Sequence, residues 1–414
     1  MINQSSSSLD DGPLSGITVL DFTAVVVGPV ATQTLADYGA DVIKIEPPGG
    51  DLLRRMGGTS NTGQLSPKFL QMNRNKRSLA IDLRTAAGQE IIRTLIRGAD
   101  VMVVNMREPA LIKLGLTYEA ARALNDRIVH CNMMGFGRQG RYFGKPAYDS
   151  IIQGGAGVAA CNERLTGTPQ FVPMVLADHL VALIAVQMIL LALRSRDLTG
   201  RSQSVEVPMF ENVASFVLQE HIGQKAFTPE RGDTGDVRIF DANARPIVTS
   251  NGYICVSANT DAQVRGFFEA IGRPELMDDP RFCSVEARLE HVETFFQIRN
   301  NSLGDKPTEQ WLALFDQHDV PAFQYNTLES LLDDPHLEEV GFFESLEVTG
   351  EGLVKHMKPA NTFSGGGRQT PQPAPRVGEQ SIEVLRDFGF ADDRIHSLIA
   401  ADIVIDGGPD DSET

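Results

Sequence analysis

Short apolar runs alternate with helix-type periodicity along the first 200 residues. Residues 17–22 predict a strand, the Gly28-Pro29 pair opens a helical stretch that reaches Tyr38, and residues 41–45 predict the next strand. The same alternation recurs in predicted strands at 78–81, 101–104 and 128–133 and a predicted helix at 85–97. Repeated strand–helix–strand units predict an α/β fold with a parallel sheet that carries helices on both faces.

The remaining pattern predicts a second, smaller unit and a return to the first. A long apolar helix at 178–196 ends near Gly200, which suits a left-handed cap. Gly, Asp, Arg and Pro dominate residues 225–246, which predicts a linker or mobile loop. Further predicted elements are strands at 204–207 and 252–256, helices at 211–221, 262–271, 308–315 and 379–388, and an extended crossing segment at 359–376.

These patterns divide the chain into four predicted segments. We expect a disordered lead-in at 1–12, the first part of a large domain at 13–224, a linker and small α/β domain at 225–330, and a return to the large domain at 331–414.

Composition and charge narrow the class of protein. The chain has 414 residues, and 37 basic against 54 acidic side chains give a formal net charge of −17. Two or three domains are expected at this length. The negative charge argues against nucleic acid as the main partner, because phosphate binding relies on a net basic surface. An anionic ligand therefore needs a local pocket.

The cysteines and the N-terminus predict a reducing, cytoplasmic setting. Four cysteines are scattered without metal-type spacing, which predicts neither a disulfide framework nor a metal site. Residues 1–11 are Ser-rich and acidic and do not resemble a secretory signal. The longest apolar stretch, 180–193, has 14 residues and is shorter than the roughly 20 of a membrane span. It predicts a buried helix and no membrane partner.

Common catalytic motifs leave few candidates. Residues 135–140 match G-x-G-x-x-G, but the Tyr, Phe, Gly and Pro that follow do not start a helix, so a turn is favoured over a dinucleotide site. Asp178 stands between two apolar runs at the start of the long helix. From the surrounding sequence alone, Asp178 is either an N-cap residue or a catalytic carboxylate, and the N-cap is the more common role.

Three segments in order resemble the class III CoA-transferase family, also called the CaiB/BaiF family. The first runs from Leu14 through Gly28-Pro29 to Pro47 and contains LADYGADVIKIEP. The second is NRNKRSLAIDL at 73–83, and the third joins Gly135-Phe136-Gly137 to PAYD at 146–149 and to Ala177-Asp178. The resemblance extends over about residues 13–390. It implies a large Rossmann-like domain, a small α/β domain, and ring-shaped subunits in an interlocked homodimer.

The resemblance also implies the chemistry. Asp178 matches the family's catalytic aspartate, whose carboxylate attacks an acyl-CoA thioester to give a mixed anhydride. CoA thiolate then forms an aspartyl-CoA thioester, and a free carboxylic acid accepts the CoA through a second anhydride. CoA thioesters are substrates here, and no permanently bound cofactor or metal is implied.

Twelve positions match CoA or ligand contacts of formyl-CoA transferases. They are Val26, Asp82, Leu83, Arg84, Thr85, Asn105, Met106, Arg107, Lys113, Met134, Gly135 and Phe136. Arg84, Arg107 and Lys113 are implied partners of the CoA phosphates. Val26 replaces a glutamine and Pro47 an arginine, and the family's glycine-rich active-site loop has no counterpart in 225–251. These departures argue against oxalate or formyl-CoA as substrate.

Two other functions remain open at this point. A 2-methylacyl-CoA racemase needs a His and an Asp as acid/base groups, and its His falls at Tyr148 in this chain. A phenol ionises near pH 10 in water and is a poor base, so transfer is favoured. His179 follows Asp178 but would point about 100° away on a helix. A non-catalytic CoA-thioester-binding protein is the second alternative.

Overall fold

The structure, a computed structural model, describes residues 12–364 and 371–408 in two compact units. The larger unit comprises the described chain up to Ala156, Pro173–Ala214 and the described residues from Glu339 onward, and the smaller one comprises Gly157–Val172 and Ser215–Glu338. The prediction for 13–224 did not separate 157–172 or 215–224 from the large domain. The predicted lead-in lies outside the described residues except for Gly12, and so do residues 365–370 of the predicted crossing segment.

A seven-stranded sheet forms the larger unit, in the order β12-β3-β2-β1-β4-β5-β6. Strands β1 to β6 are parallel, and only β12 at the edge is antiparallel. The strands are β1 (Thr18–Phe22), β2 (Asp41–Glu46), β3 (Lys76–Ile81), β4 (Val101–Val104), β5 (Val129–Met134), β6 (Gln203–Pro208) and β12 (Val404–Ile405). This topology supports the predicted parallel α/β sheet.

Helices cover both faces of this sheet. They are α1 (Val27–Asp37), α2 (Pro67–Met72), α3 (Ala86–Gly98), α4 (Glu108–Leu114), α5 (Tyr118–Leu124), α6 (Asp149–Gly155), α8 (Leu176–Thr199), α16 (Ser381–Asp387) and α17 (Asp392–Ala400). A separate antiparallel hairpin, β10 (Phe343–Val348) with β11 (Gly352–Met357), belongs to the same unit. The pattern of apolar residues did not predict this hairpin.

The smaller unit is built on a three-stranded sheet of β7 (Ile247–Val248), β8 (Tyr253–Val256) and β9 (Ala322–Gln324). Its aromatic core includes Phe267, Trp311 and Phe315, whose rings stack. Its helices are α7 (Val158–Thr166), α10 (Asp261–Ala270), α11 (Val285–Glu290), α12 (Val292–Asn301), α13 (Thr308–Gln317), α14 (Leu328–Leu331) and most of α15 (Pro335–Glu339). Helix α9 (Met209–His221) begins in the larger unit and ends in this one.

Strand alternation sends apolar and charged residues to opposite faces of the sheet. Leu20 and Ile43 belong to the apolar core on one face. Asp21 and Lys44, their neighbours in sequence, are register partners and are both fully buried on the other face. Lys76 binds the Asp21 carboxylate at 3.0 Å. Buried charges are stable only when paired in this way, so these side chains fix the ends of β1, β2 and β3 relative to each other.

Helix α8 packs against the sheet at β5 and β6 and carries Asp178 in its first turn. It contacts α1, α6, β5 and β6, and it ends at Gly200 in the left-handed conformation, as predicted. By length and composition it could also cross a membrane, since an 18-residue window reaches a mean hydropathy of 2.2, and 44% of that window is buried. Core helices of water-soluble proteins share these properties. Leu183, Leu191 and Leu198 are among its exposed apolar side chains.

Candidate active site

Asp178 lies in the first turn of α8 and does not cap it. The N-cap residue is Val175, which has no side-chain cap. The carboxylate of Asp149 accepts hydrogen bonds from the backbone N–H of Ala177 at 2.7 Å and of Asp178 at 3.4 Å. A capping role for Asp178, the more common expectation by composition, is therefore wrong, because Asp149 fills that role from α6. Asp178 is left available for chemistry.

Asp149 is itself held in place by Gln153, one turn further along α6. The Gln153 side-chain amide donates to Asp149 Oδ2 at 2.7 Å and to the carbonyl of Met174 at 3.0 Å. The amide thus links α6 to the chain that enters α8. Asp149 belongs to the PAYD segment, but its role as a distant cap depends on tertiary contact and cannot be predicted from its position in sequence.

Burial and a neighbouring charge change the acidity of Asp178. The residue is 9% exposed, and its carboxylate accepts no hydrogen bond within residues 12–364 and 371–408. Burial, together with the negative charge of Asp149, raises the pKa of Asp178 to about 7. The carboxylate is therefore only partly ionised at neutral pH. An unpaired, poorly solvated carboxylate of raised pKa is a better nucleophile than an ordinary surface carboxylate.

Asp178 lines a cavity of about 610 Å³ in the larger unit. The cavity forms where the loops that follow β1, β4 and β5 meet the start of α8, which is the carboxyl edge of the parallel sheet. Seven of the thirteen predicted site residues line it: Val26, Asn105, Met106, Arg107, Met134, Gly135 and Asp178. Ala24, Val25, Val27, Met133, Pro146, Ala147, Tyr148 and Met209 complete the wall.

Asp82, Leu83, Arg84 and Thr85 lie outside this wall. Arg84 is mostly exposed and pairs with Asp82 at 2.8 Å. Thr85 caps α3 by accepting from the N–H of Gly88, and Leu83 packs against the apolar core. Their predicted contact with CoA stays a prediction.

Lys113 and Phe136 also lie outside the cavity wall. Lys113 is exposed in the last turn of α4. Phe136 packs against the rings of Tyr142 and Phe210. The predicted contacts of these two residues with CoA are likewise untested.

Gly135 explains why two parts of the third recognised segment occur together. A Cβ on Gly135 would lie 2.4 Å from the Cβ of Ala147, so only glycine allows this approach. The turn after β5 thereby packs against the Pro146–Tyr148 segment in front of α6. The residues after Gly140 form turns, and the next helix begins only at Asp149. This geometry agrees with a turn and not with a dinucleotide-binding fingerprint.

One feature of the wall, the backbone of Val25, was not predicted, whereas Tyr148 was already placed at the position of the racemase histidine. Val25 has a φ of 70°, a left-handed conformation that is rare for a β-branched residue. Tyr148 lines the same cavity as Asp178, and its side chain is exposed. The sequence does not predict a left-handed conformation at Val25, because a β-branched residue disfavours it and the contacts to its backbone come from distant residues. Among the described residues, no group of three or more His, Cys, Asp or Glu side chains is arranged to hold a metal ion.

Comparison with known proteins assigns the chain to a family. It belongs to CoA-transferase family III, which it matches over residues 14–381. It is 29% identical to a succinate–glutarate CoA-transferase of Agrobacterium fabrum over 91% of this chain and 96% of the relative. It is 30% identical to a succinyl-CoA–D-citramalate CoA-transferase of Chloroflexus aurantiacus over 96% of this chain and all of the relative.

A solved structure supports the same assignment. The crystal structure of a CaiB/BaiF family protein from Brucella suis superposes with a TM-score of 0.77 at 28% identity, covering 91% of this chain and 100% of that one. The resemblance recognised from the three sequence segments is thereby confirmed, and the chain is a class III CoA-transferase by family.

Replacing Asp178 by asparagine should abolish transfer and stabilise the protein. The cost of ionising a buried carboxylate disappears, and a pKa raised from 3.8 to about 7 corresponds to roughly 4 kcal/mol at full ionisation. Because the folded-state pKa exceeds the unfolded one, this cost grows as pH rises from about 4 to about 7. The gain in Tm over wild type should therefore be larger at pH 8 than at pH 5. Residual turnover would contradict a catalytic role for Asp178, and a gain in Tm independent of pH would contradict its raised pKa.

Replacing Asp149 by asparagine should shift the pH profile to lower pH. Asparagine keeps an oxygen for the N–H of Ala177 but removes the negative charge that helps raise the pKa of Asp178. The acidic limb of kcat/KM, expected near pH 7 in wild type, should move down by on the order of one pH unit. Asp278→Asn, an exposed change in the smaller unit, is the control. An unmoved limb would show that Asp149 does not tune Asp178.

Proposed function

We propose that this protein transfers CoA from an acyl-CoA to a free carboxylic acid, with Asp178 as the covalent nucleophile. The observation that carries the proposal is a buried carboxylate for which the described residues supply no hydrogen-bond donor, set in the wall of a cavity that also contains predicted CoA contacts. Such a group lowers the stability of the folded protein, and ionisable groups with pKa values perturbed in this way cluster at functional sites. The family of the chain supplies the reaction class.

The proposed reaction proceeds through four exchanges at carbonyl carbons. An Asp178 oxygen attacks the thioester carbonyl, the C–S bond breaks, and CoA leaves as thiolate from a mixed anhydride. The thiolate attacks the Asp178 carbonyl carbon, which releases the donor acid and forms an aspartyl-CoA thioester. The acceptor carboxylate attacks that thioester and again expels thiolate. Thiolate then attacks the acceptor carbonyl of the second anhydride, which yields the new acyl-CoA and restores Asp178.

Each of these exchanges develops negative charge on a carbonyl oxygen. Backbone N–H groups at the start of α1 are suitable donors, because the first N–H groups of a helix have no acceptor within the helix. Val26 and Val27, at this helix end, line the same cavity as Asp178, and no side chain caps the end. This arrangement supports stabilisation of the oxyanion by α1.

The charges around Asp178 favour an apolar monocarboxylic acyl group. Asp149 already places a second negative charge near Asp178, and Arg107 is the only cationic side chain among the residues that line the cavity. Arg107 is the proposed partner of a CoA phosphate. With Arg107 bound to CoA, the free carboxylate of a dicarboxylic acyl group would lie near Asp178 and the negative charge of Asp149 behind it, with no other cationic side chain among the lining residues. The valines and methionines of the wall suit a hydrocarbon chain.

We also propose that the protein acts as a homodimer in the cytoplasm. The apolar side chains of Leu183, Leu191 and Leu198 on α8 are more than half exposed, although the helix is as apolar as a core helix. A second copy of the chain would remove such side chains from water, as in the interlocked dimer that the sequence resemblance implies.

The direct test is a chromatographic assay with branched-chain, acetyl- and succinyl-CoA against mono- and dicarboxylic acids. New acyl-CoA should appear only when an acceptor acid is present, and branched-chain monocarboxylic pairs should turn over at least about tenfold faster than succinyl pairs. A 2-methylacyl-CoA that takes up deuterium at its α-carbon without an acceptor would instead establish racemisation. Binding without any product would favour the non-catalytic alternative. A preference for succinyl-CoA would contradict the proposed acyl class only.

Replacing Arg107 by glutamine should weaken acyl-CoA binding. Arg107 is exposed at the cavity wall and can pair with a CoA phosphate. We expect KM for acyl-CoA to rise about tenfold, with a smaller change in kcat. Arg122→Gln, an exposed change on α5, is the matched control. An unchanged KM would remove Arg107 from the CoA site.

A further inference from the structure

Three side chains from other segments hold the backbone of the loop that joins β1 to α1. Lys44 Nζ donates to the carbonyl of Thr23 at 3.0 Å. Asn105 binds both backbone groups of Ala24, accepting from its N–H at 3.2 Å and donating to its carbonyl at 2.9 Å. The N–H of Val25 donates to the carboxylate of Asp51 at 3.1 Å. Three consecutive residues therefore have their backbone fixed by side chains from outside the loop.

Val25 adopts a left-handed backbone conformation that is unfavourable for valine. Its φ of 70° is disfavoured for a β-branched side chain, because the branched Cβ crowds the backbone there. Such a conformation persists only where the surroundings impose it. The bond from Val25 N–H to Asp51 is the contact that acts directly on this residue.

Asp51 is rigid enough to impose this conformation. Lys44 binds its Oδ2 at 2.9 Å, and both side chains are almost completely buried. The N–H of Leu53 donates to Asp51 Oδ1 at 2.9 Å, and the N–H of Asp51 donates to Glu46 at 2.8 Å. Asp51 is therefore fixed by one buried cation and by the N–H of Leu53 on its carboxylate, and its own N–H is held by the carboxylate of Glu46 at the end of β2.

The residues immediately after Val25 line the cavity that contains Asp178. Val26 and Val27 form the start of α1 and line the cavity together with Asp178, which is nine-tenths buried and whose carboxylate accepts no hydrogen bond from the described part of the chain. A change of φ at Val25 would rotate the N–H groups that follow it. The geometry of the oxyanion donors thus depends on the backbone at Val25.

We infer that Asp51, fixed by Lys44, is a positioning residue: it holds Val25 in the left-handed conformation that sets the first N–H groups of α1 against the carbonyl attacked by Asp178. The inference rests on the proposed transfer function. It assigns a role in the reaction to a buried ion pair that does not line the cavity.

The first experiment compares Asp51→Ala with Asp51→Asn, assayed well below the melting temperature. Asparagine keeps an oxygen for the N–H of Val25, and alanine does not. We expect kcat to fall on the order of 100-fold in Asp51→Ala and to be partly restored in Asp51→Asn, with KM for acyl-CoA within about twofold. Asp37→Ala breaks another buried pair, with Arg74, away from the loop. It should lower Tm and leave kcat close to wild type.

A second pair of variants keeps the test decisive if Asp51→Ala does not fold. Glycine accepts a positive φ without strain and so depends less on Asp51, whereas Val25→Ala removes the same methyl groups and keeps the strain. In the Asp51→Asn background, where the contact to the N–H of residue 25 is weakened, we expect Val25→Gly to match or exceed the Tm of Val25→Ala and to have a kcat at least about threefold higher.

The outcomes separate the inference from the function on which it rests. Equal kcat values for Val25→Gly and Val25→Ala in the Asp51→Asn background, or wild-type kcat in a folded Asp51→Ala protein, would overturn the positioning role while transfer stands. A wild-type protein that transfers no CoA to any acid would overturn the proposed function, and this inference with it.

Discussion

The burial of Asp178 beside a second carboxylate is the constraint on which the rest of the site depends. Two N–H groups that could have stabilised its charge bind Asp149 instead. The charge on Asp178 is therefore poorly solvated, and its pKa rises to about 7. This arrangement costs stability, and in the proposed mechanism it favours attack on a thioester, since a desolvated carboxylate gains more by forming a covalent bond. The family assignment and the cavity around Asp178 are consistent with that use.

The sheet explains how these groups come together. Parallel strands end at one edge, so the loops after β1, β4 and β5 all reach the start of α8. The buried pairs of Asp21 with Lys76 and Asp51 with Lys44 lie near the ends of the strands and are fully shielded from water. Pairs of this kind contribute little net stability but strongly favour one arrangement over others. We see in them the reason why an uncapped helix end and a strained valine can persist at the cavity.

Local patterns in the sequence were sufficient for the framework. The run at 17–22, the helix after Gly28 and the cap at Gly200 correspond closely to β1, α1 and the end of α8. The resemblance to a known family was needed to single out Asp178 as a catalytic candidate, because its sequence context alone favoured an N-cap. Features that depend on distant residues were missed: Asp149 caps a helix that starts 27 residues later in the chain, and the N–H of the left-handed Val25 donates to the carboxylate of Asp51. The β10–β11 hairpin was missed because its alternation of apolar and polar residues is weak.

The central claim is that Asp178 becomes covalently attached to CoA during turnover. The most direct measurement is mass spectrometry of the protein after brief incubation with acyl-CoA, quenched in acid and digested to peptides. The account predicts a peptide containing Asp178 that carries the mass of CoA less one water, which disappears when an acceptor acid is added and is absent from Asp178→Asn. Rapid transfer with no adduct on this peptide, or an adduct on another residue that forms and decays at the rate of turnover, would contradict it.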